Sequence, residues 1–187
     1  MNKTLSARGG ARSTRVREAR FADAAGIFDL IQRHKHELVP RSKSDILQQM
    51  DRFFVAERAG TVVGVVSWGI LPELEHGKHP TVEIKSLAVD RKARGLGLGR
   101  RLVEKVLERI RQFEPEQIIA LTFLPDFFRR FGFAETPKAQ LMHKIYTGCV
   151  NCTRYDSPFT CPEIAMSWAP PAVAARAKSK TRREQKA

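Results

Sequence analysis

Hydrophobic positions along the chain switch between two periods, and the switches mark the elements. Residues 14–19 alternate around Val16 and predict a short first strand. Ile27, Phe28, Leu30 and Ile31 recur at helical spacing, with Asp23 as the expected N-cap. Ser44 and Asp45 are expected to open a second helix carrying Ile46, Leu47 and Met50. Residues 53–57 and 62–68 are rich in β-formers, and Arg58-Ala59-Gly60-Thr61 between them predicts a hairpin. Residues 81–89 read as a further strand. Leu102, Val103, Val106, Leu107 and Ile110 lay one apolar stripe along a helix over 98–113, with Pro115 as its stop. Residues 117–123 read as a strand, and Pro125 stands at the favoured first position of a short helix. Residues 141–146 and 164–168 look like two final strands. The order β-α-α-β-β-β-α-β-α-β-β predicts an α/β (α+β) fold whose sheet mixes parallel and antiparallel pairs.

Composition adds a domain plan. A chain of 187 residues with 42% hydrophobic content suits one domain, residues 15–168, between basic tails at 1–14 and 169–187. The net charge of +13 looks like a nucleic-acid signal until it is located. Residues 1–15 supply +4 and residues 174–187 supply +5, leaving +4 for everything between. Basic tails can bind polyanions without sequence preference. No nucleic-acid fold motif accompanies them, so they read as solvated extensions and no specific nucleic acid is expected as a partner. No apolar run approaches the roughly 20 residues of a membrane span, and no hydrophobic stretch follows the first basic residues. The expectation is a soluble cytoplasmic protein with no membrane partner, with a homodimer left open.

The strongest chemical signal lies mid-chain. The strand over 82–89 ends at Asp90, and Arg94-Gly95-Leu96-Gly97-Leu98-Gly99 leads straight into the long helix. Strand, glycine turn and helix start form a phosphate site in physical terms. Glycines let the backbone approach a ligand, N–H groups converge, and the helix dipole adds positive potential. The glycine spacing does not fit a dinucleotide fingerprint, and the Gly-Lys-Ser/Thr of a P-loop is absent.

The spacing R-x-x-G-x-G at Arg94, Gly97 and Gly99 resembles the acyl-coenzyme A signature of the GNAT acetyltransferase superfamily. Leu87-Ala88-Val89-Asp90 is similar to that family's core strand, and Phe127-Phe128-Arg129-Arg130-Phe131-Gly132-Phe133 to its late Gly-Phe segment. The resemblance implies a mostly antiparallel twisted sheet flanked by helices, and acetyl-CoA as cosubstrate. It implies pyrophosphate binding by the backbone from Arg94 through Gly95, Leu96, Gly97 and Leu98 to Gly99 and Arg100. The third helix would start near Gly97 with its dipole on the phosphates. Leu87, Ala88 and Val89 would pair with the pantetheine arm, and Phe128 would contact the cofactor. Many GNAT enzymes carry a tyrosine general acid at the position of Phe128, which cannot donate a proton. Either Ser86, Tyr146 or water is then the acid, or no dedicated acid is needed.

An amine attacking a thioester must be neutral, and Glu83 is the best candidate base. Strict alternation would put Glu83, Lys85 and Leu87 on one face and Val82, Ile84, Ser86 and Ala88 on the other. The alternative is a Glu83–Lys85 surface pair. Arg41, Lys43 and Lys85 would suit a substrate that brings carboxylates, although Arg41 and Lys43 also read as ordinary loop charge. Leu38-Val39-Pro40-Arg41-Ser42-Lys43 resembles the substrate loop of N-acetylglutamate synthase acetyltransferase domains. Glu83-Ile84-Lys85-Ser86-Leu87-Ala88-Val89 is similar to the base-bearing strand of that family, and the segment from His143 to Met166 to the tail of its short members. The implied reaction acetylates L-glutamate at the entry to arginine synthesis. Arg41, Lys43, Lys85 and Lys144 would be substrate anchors. A GNAT enzyme for a peptide, lysine or polyamine amine is the first rival, and a non-catalytic binding module the second.

Cys149, Cys152 and Cys161 cluster late as C-x2-C-x8-C within a loop over 147–162. With His143 they would make a tetrahedral zinc set. Free thiols or a redox pair are the alternatives.

Overall fold

The computed structural model describes residues 14–71, 79–152 and 154–170. Nearly all of both basic tails lies outside the described residues. Among the described residues seven strands form one sheet: β1 (Thr14–Glu18), β2 (Phe53–Arg58), β3 (Thr61–Leu71), β4 (Thr81–Val89), β5 (Gln117–Thr122), β6 (Ala134–Glu135) and β7 (Ile164–Trp168). Their order is β1-β2-β3-β4-β5-β7-β6. Every neighbouring pair is antiparallel except β4 and β5. The helices are α1 (Ala24–Arg33), α2 (Lys43–Gln48), α3 (Leu98–Arg111), α4 (Pro125–Arg129) and α5 (Met142–Thr147).

The β2–β3 hairpin turns on Ala59 and Gly60 at φ +50 and +77. Two-residue turns with positive φ at both positions match the right-handed twist of paired strands. Parallel strands need a long crossover, and α3 supplies it between β4 and β5. Its stripe of Leu102, Val103, Val106 and Ile110 packs with Val66, Trp68, Val82 and Ile84 on one face of the sheet. Ile27, Leu30 and Ile31 of α1, with Ile46 of α2, cover the other face at Val55, Val65 and Ala88. Sheet positions thus divide between the two cores by the two-residue alternation.

Local expectations fail in three places. Residues 141–146, expected as a strand, are mostly α5. Leu141 and Ile145 are both buried, four residues apart, and the Ile145 N–H donates to the Leu141 carbonyl at 3.0 Å. A short apolar run fits either period. β7 instead takes its outer partner from Ala134–Glu135. Asp23 stands at the N-cap position of α1, but its side chain makes no capping bond to that helix. Its carboxylate accepts the Arg20 N–H and two bonds from the Arg17 guanidinium, all within 2.7–2.9 Å. Ser42 rather than Ser44 caps α2, accepting the Asp45 N–H at 3.0 Å.

Candidate active site

The sheet becomes a site at β4. Its pairing with β3 runs Ser67↔Lys85 and then Val65↔Ala88, so Ser86 and Leu87 together oppose Val66. This is a β-bulge, and Ser86 takes φ +55 to make it. The extra residue resets the alternation. Val82 and Ile84 before it, and Leu87 and Val89 after it, all face the α3 core. Ala88 faces the α1 core, and Glu83, Lys85 and Ser86 line a cavity. The strict alternation therefore misplaces three residues: Leu87 leaves the Glu83 face, and Ser86 and Ala88 leave the Val82 face.

β4 also parts from β5. Their parallel ladder comprises Thr81↔Gln117, Val82↔Ile118 and Glu83↔Ile119 and stops there. Residues 84–89 thus turn an unladdered edge toward β5, leading directly into the glycine turn. In that turn Gly95 and Gly97 have φ +81 and +68, a conformation glycine adopts at no steric cost. Gly97 is the N-cap of α3, and no side chain caps the helix. The first intrahelical bond is Arg101 N–H to Gly97 C=O at 3.1 Å. The N–H groups of Leu98, Gly99 and Arg100 therefore have no acceptor within the helix. Arg94 reaches Glu37 at 3.7 Å and Arg100 reaches Glu104 at 2.7 Å, both with exposed guanidinium groups. An uncapped helix start flanked by two arginines, continuous with an open strand edge, fits a pyrophosphate joined to an amide-bearing arm.

The cavity has a volume of about 510 Å³ and opens on the Glu83 face of β4. Residues 37–41, β4, α5 and the cysteine segment wall it. Glu83 is buried, and its Oε1 accepts from Lys144 Nζ at 2.8 Å. The partner of Glu83 is thus a lysine from α5, not Lys85. Burial pulls the Lys144 pKa down, but the charge and hydrogen bond of Glu83 outweigh it and the net shift is upward. Lys85 goes the other way: burial, then the nearby Arg41 charge, hold it below its ordinary 10.5. Arg41 donates through Nε to Ser86 Oγ at 2.9 Å and through Nη1 to Asp45 at 2.7 Å. Its guanidinium stacks 5.6 Å from the Phe53 ring centre.

Several expected site residues lie elsewhere. Lys43 is exposed, with its ammonium over the Phe28 ring at 5.1 Å, and it does not line the cavity. Phe128 is buried in the core, 5.4 and 5.5 Å from the Phe127 and Phe133 ring centres. Phe127, not Phe128, faces the glycine turn, with its ring 3.5 Å from where a Gly99 side chain would begin. Tyr146 is exposed and outside the cavity lining. Three acidic residues of the cavity were not singled out as site residues from the sequence, Glu37, Asp45 and Glu163. Burial pushes the Glu163 carboxyl up, and Cys161 Sγ lies 3.6 Å from its Oε2.

The zinc expectation is corrected. Cys149, Cys152 and Cys161 are free, partly buried and all in the cavity wall. Among the described residues no three His, Cys, Asp or Glu side chains converge as a metal needs. Burial also raises the Cys149 and Cys161 thiols, which favours their protonated form.

The lowered Lys85 pKa gives a first prediction. The unfolded chain holds the Lys85 proton up to its ordinary value and the folded chain sheds it sooner. The folded protein therefore gains stability from this group as pH rises across that window. Any anion beside Lys85 would lose the attraction of its charge over the same window. Lys85→Met should raise the melting temperature at neutral pH and raise the KM of an anionic acceptor. Thermal melts and acceptor titrations check both, and a lower melting temperature contradicts the burial argument.

Comparison with known proteins agrees with the geometry. Residues 24–133 match the acetyltransferase (GNAT) family. An uncharacterised N-acetyltransferase of Chlorobaculum tepidum is 34% identical over 83% of this chain and 96% of its own length. A Mycobacterium tuberculosis amino-acid acetyltransferase is 28% identical over 75% of this chain and 79% of its own. In fold, the chain matches N-acetylglutamate synthase of Neisseria gonorrhoeae, crystallised with coenzyme A and N-acetyl-glutamate, at TM-score 0.67 and 19% identity. That match covers 86% of this chain and 36% of the synthase. Among the described residues no helix is long and apolar enough to cross a membrane. With an uncapped glycine turn, a parted β4–β5 pair and this kinship, the chain belongs to the GNAT acetyltransferase family and is an acetyl-CoA-dependent N-acetyltransferase.

Proposed function

We propose that the acceptor is the dicarboxylic amino acid L-glutamate and the product N-acetylglutamate, the entry compound of arginine synthesis. The observation that carries this reading is one cavity lined by Arg41, Lys85, Lys144 and Glu83, with the Lys144 ammonium on the Glu83 carboxylate at 2.8 Å. Two substrate carboxylates and one ammonium complement three cations and one base. The cavity also holds Glu37, Asp45 and Glu163. Asp45 is tied to Arg41, however, and burial favours the neutral form of Glu163. The lining therefore suits an anionic acceptor better than a polyamine. Relatives named amino-acid acetyltransferase support the same class, including one from Pseudomonas putida, 31% identical, of which this chain spans 27%.

When bound, acetyl-CoA supplies the acetyl thioester. The N–H groups of Leu98, Gly99 and Arg100 would hold its pyrophosphate, and the open edge of β4 from Leu87 to Val89 its arm. Arg41 would bind one acceptor carboxylate through its planar fork, with Lys85 and Lys144 on the other. Glu83 would take a proton from the acceptor ammonium, leaving a lone pair to form the new N–C bond as the C–S bond breaks. The departing sulfur needs a proton. Ser86 Oγ already accepts from Arg41 Nε, so its own hydroxyl hydrogen is directed elsewhere and can pass to the sulfur while Ser86 takes up the second proton, which the newly acylated nitrogen sheds.

The test is thiol release from acetyl-CoA with glutamate, aspartate, glutamine, lysine and spermidine in turn. Glutamate should give the highest kcat/KM. A preference for lysine or spermidine would overturn the acceptor while leaving the fold and cosubstrate intact.

A further inference from the structure

We propose that Gly69 and Gly148 set acceptor specificity by serving as seats for the Lys85 and Lys144 ammonium groups. The inference rests on the reading that these two lysines hold acceptor carboxylates. Gly69 lies on β3 directly opposite Glu83, diagonal to Lys85, which opposes Ser67. A Cβ on Gly69 would stand 2.8 Å from Lys85 Nζ and 3.0 Å from its Cε. Gly148 closes α5, and its N–H donates to the Lys144 carbonyl at 3.0 Å. A Cβ there would stand 2.9 Å from Lys144 Nζ. Both ammonium groups thus occupy the space of an absent side chain.

Backbone conformation does not call for glycine at either place. Gly148 has φ −139, and Gly69 is not among the residues with positive φ. A glycine inside a strand weakens it and marks a close approach by another group. Here the approaching groups are the far ends of flexible side chains. A methyl group would therefore move the ammonium and leave the fold in place. Gly64 shows the contrast: a Cβ there meets Leu102 Cδ1 at 2.9 Å and Ala56 Cβ at 3.0 Å, both within the core.

The displacement required is about 1 Å, the gap between these distances and ordinary contact near 3.5–4.0 Å. Errors of that size in a positioning group can lower reactivity by up to about 10²-fold. The charges facing Lys85 are Arg41 and Asp45 from the α2 region, Glu83 on its own strand and Lys144 from α5. Moving its ammonium away from them changes what it holds and how it titrates.

Gly69→Ala and Gly148→Ala, each in the wild-type, Lys85→Met and Lys144→Met backgrounds, test the seats. Each alanine should raise acceptor KM about tenfold, a fraction of that upper limit. The acetyl-CoA KM should stay near wild type for both and the melting temperature for Gly69→Ala, whereas Gly148→Ala also loosens the Lys144–Glu83 pair. Gly69→Ala should have no further effect on Lys85→Met, nor Gly148→Ala on Lys144→Met, since each acts through its lysine. Carbon-13 NMR of labelled lysine Cε in the ligand-free protein gives a readout that needs no acceptor. Gly69→Ala should shift the Lys85 midpoint up toward 10.5 as the ammonium moves into water. An unmoved midpoint, or an acceptor effect that persists without the lysine, overturns the proposal. If another amine proves to be the acceptor, the glutamate reading falls, and the NMR midpoint with the KM for that amine still decides the seats.

Discussion

Glu83→Gln should lower acceptor kcat/KM by about 10²–10³-fold, within the span that general bases contribute. That corresponds to about 3–4 kcal/mol of transition-state stabilisation. The amide keeps the size of the side chain and an oxygen to accept from Lys144 at the position now 2.8 Å away, but it cannot take a proton. Turnover in the variant then depends on acceptor molecules that are already neutral. Their fraction rises tenfold per pH unit below the amine pKa, so the deficit should be largest at low pH and shrink as pH rises. Paired pH–rate profiles with melts at each pH measure this. Parallel profiles for variant and wild type would remove Glu83 from the base role, because a positioning defect alone does not recover with pH.

The glycine turn was legible in the sequence because its chemistry is local. Gly95 and Gly97 carry the backbone geometry themselves, and the helix stripe after them sets which way the dipole points. The hairpin at Ala59-Gly60 was legible for the same reason. The wall of the cavity was not. Ser86 reaches the Glu83 face only because a bulge inserts one residue against Val66, and nothing in residues 82–89 alone signals it. The choice of Lys144 over Lys85 as partner of Glu83 depends on α5, a segment whose apolar spacing reads equally well as strand. The cysteine spacing suggested a metal because C-x2-C is common to metal sites and to plain turns. Here Cys152 N–H simply donates to Cys149 C=O at 3.1 Å. Local backbone chemistry was readable, whereas convergence of side chains from distant segments was not.

Lys144→Met should show what that convergence is worth. The lysine and Glu83 side chains are 17% and 7% exposed, so the pair is largely out of water. Removing one partner of such a pair leaves the other charge uncompensated, typically at about 3–5 kcal/mol. The variant should melt well below wild type. Adding Glu83→Gln should restore much of the loss, because the stranded charge is then gone. The acceptor KM should rise about 10–100-fold if the ammonium also anchors a carboxylate, as truncating a buried charged contact commonly does. Calorimetry on the single and double variants separates the two roles. Recovery of stability in the double variant with acceptor KM still raised assigns Lys144 to both the fold and the site. A lowered melting temperature with acceptor KM unchanged would leave Lys144 as a structural partner of Glu83 and return the second carboxylate contact to Arg41 and Lys85 alone.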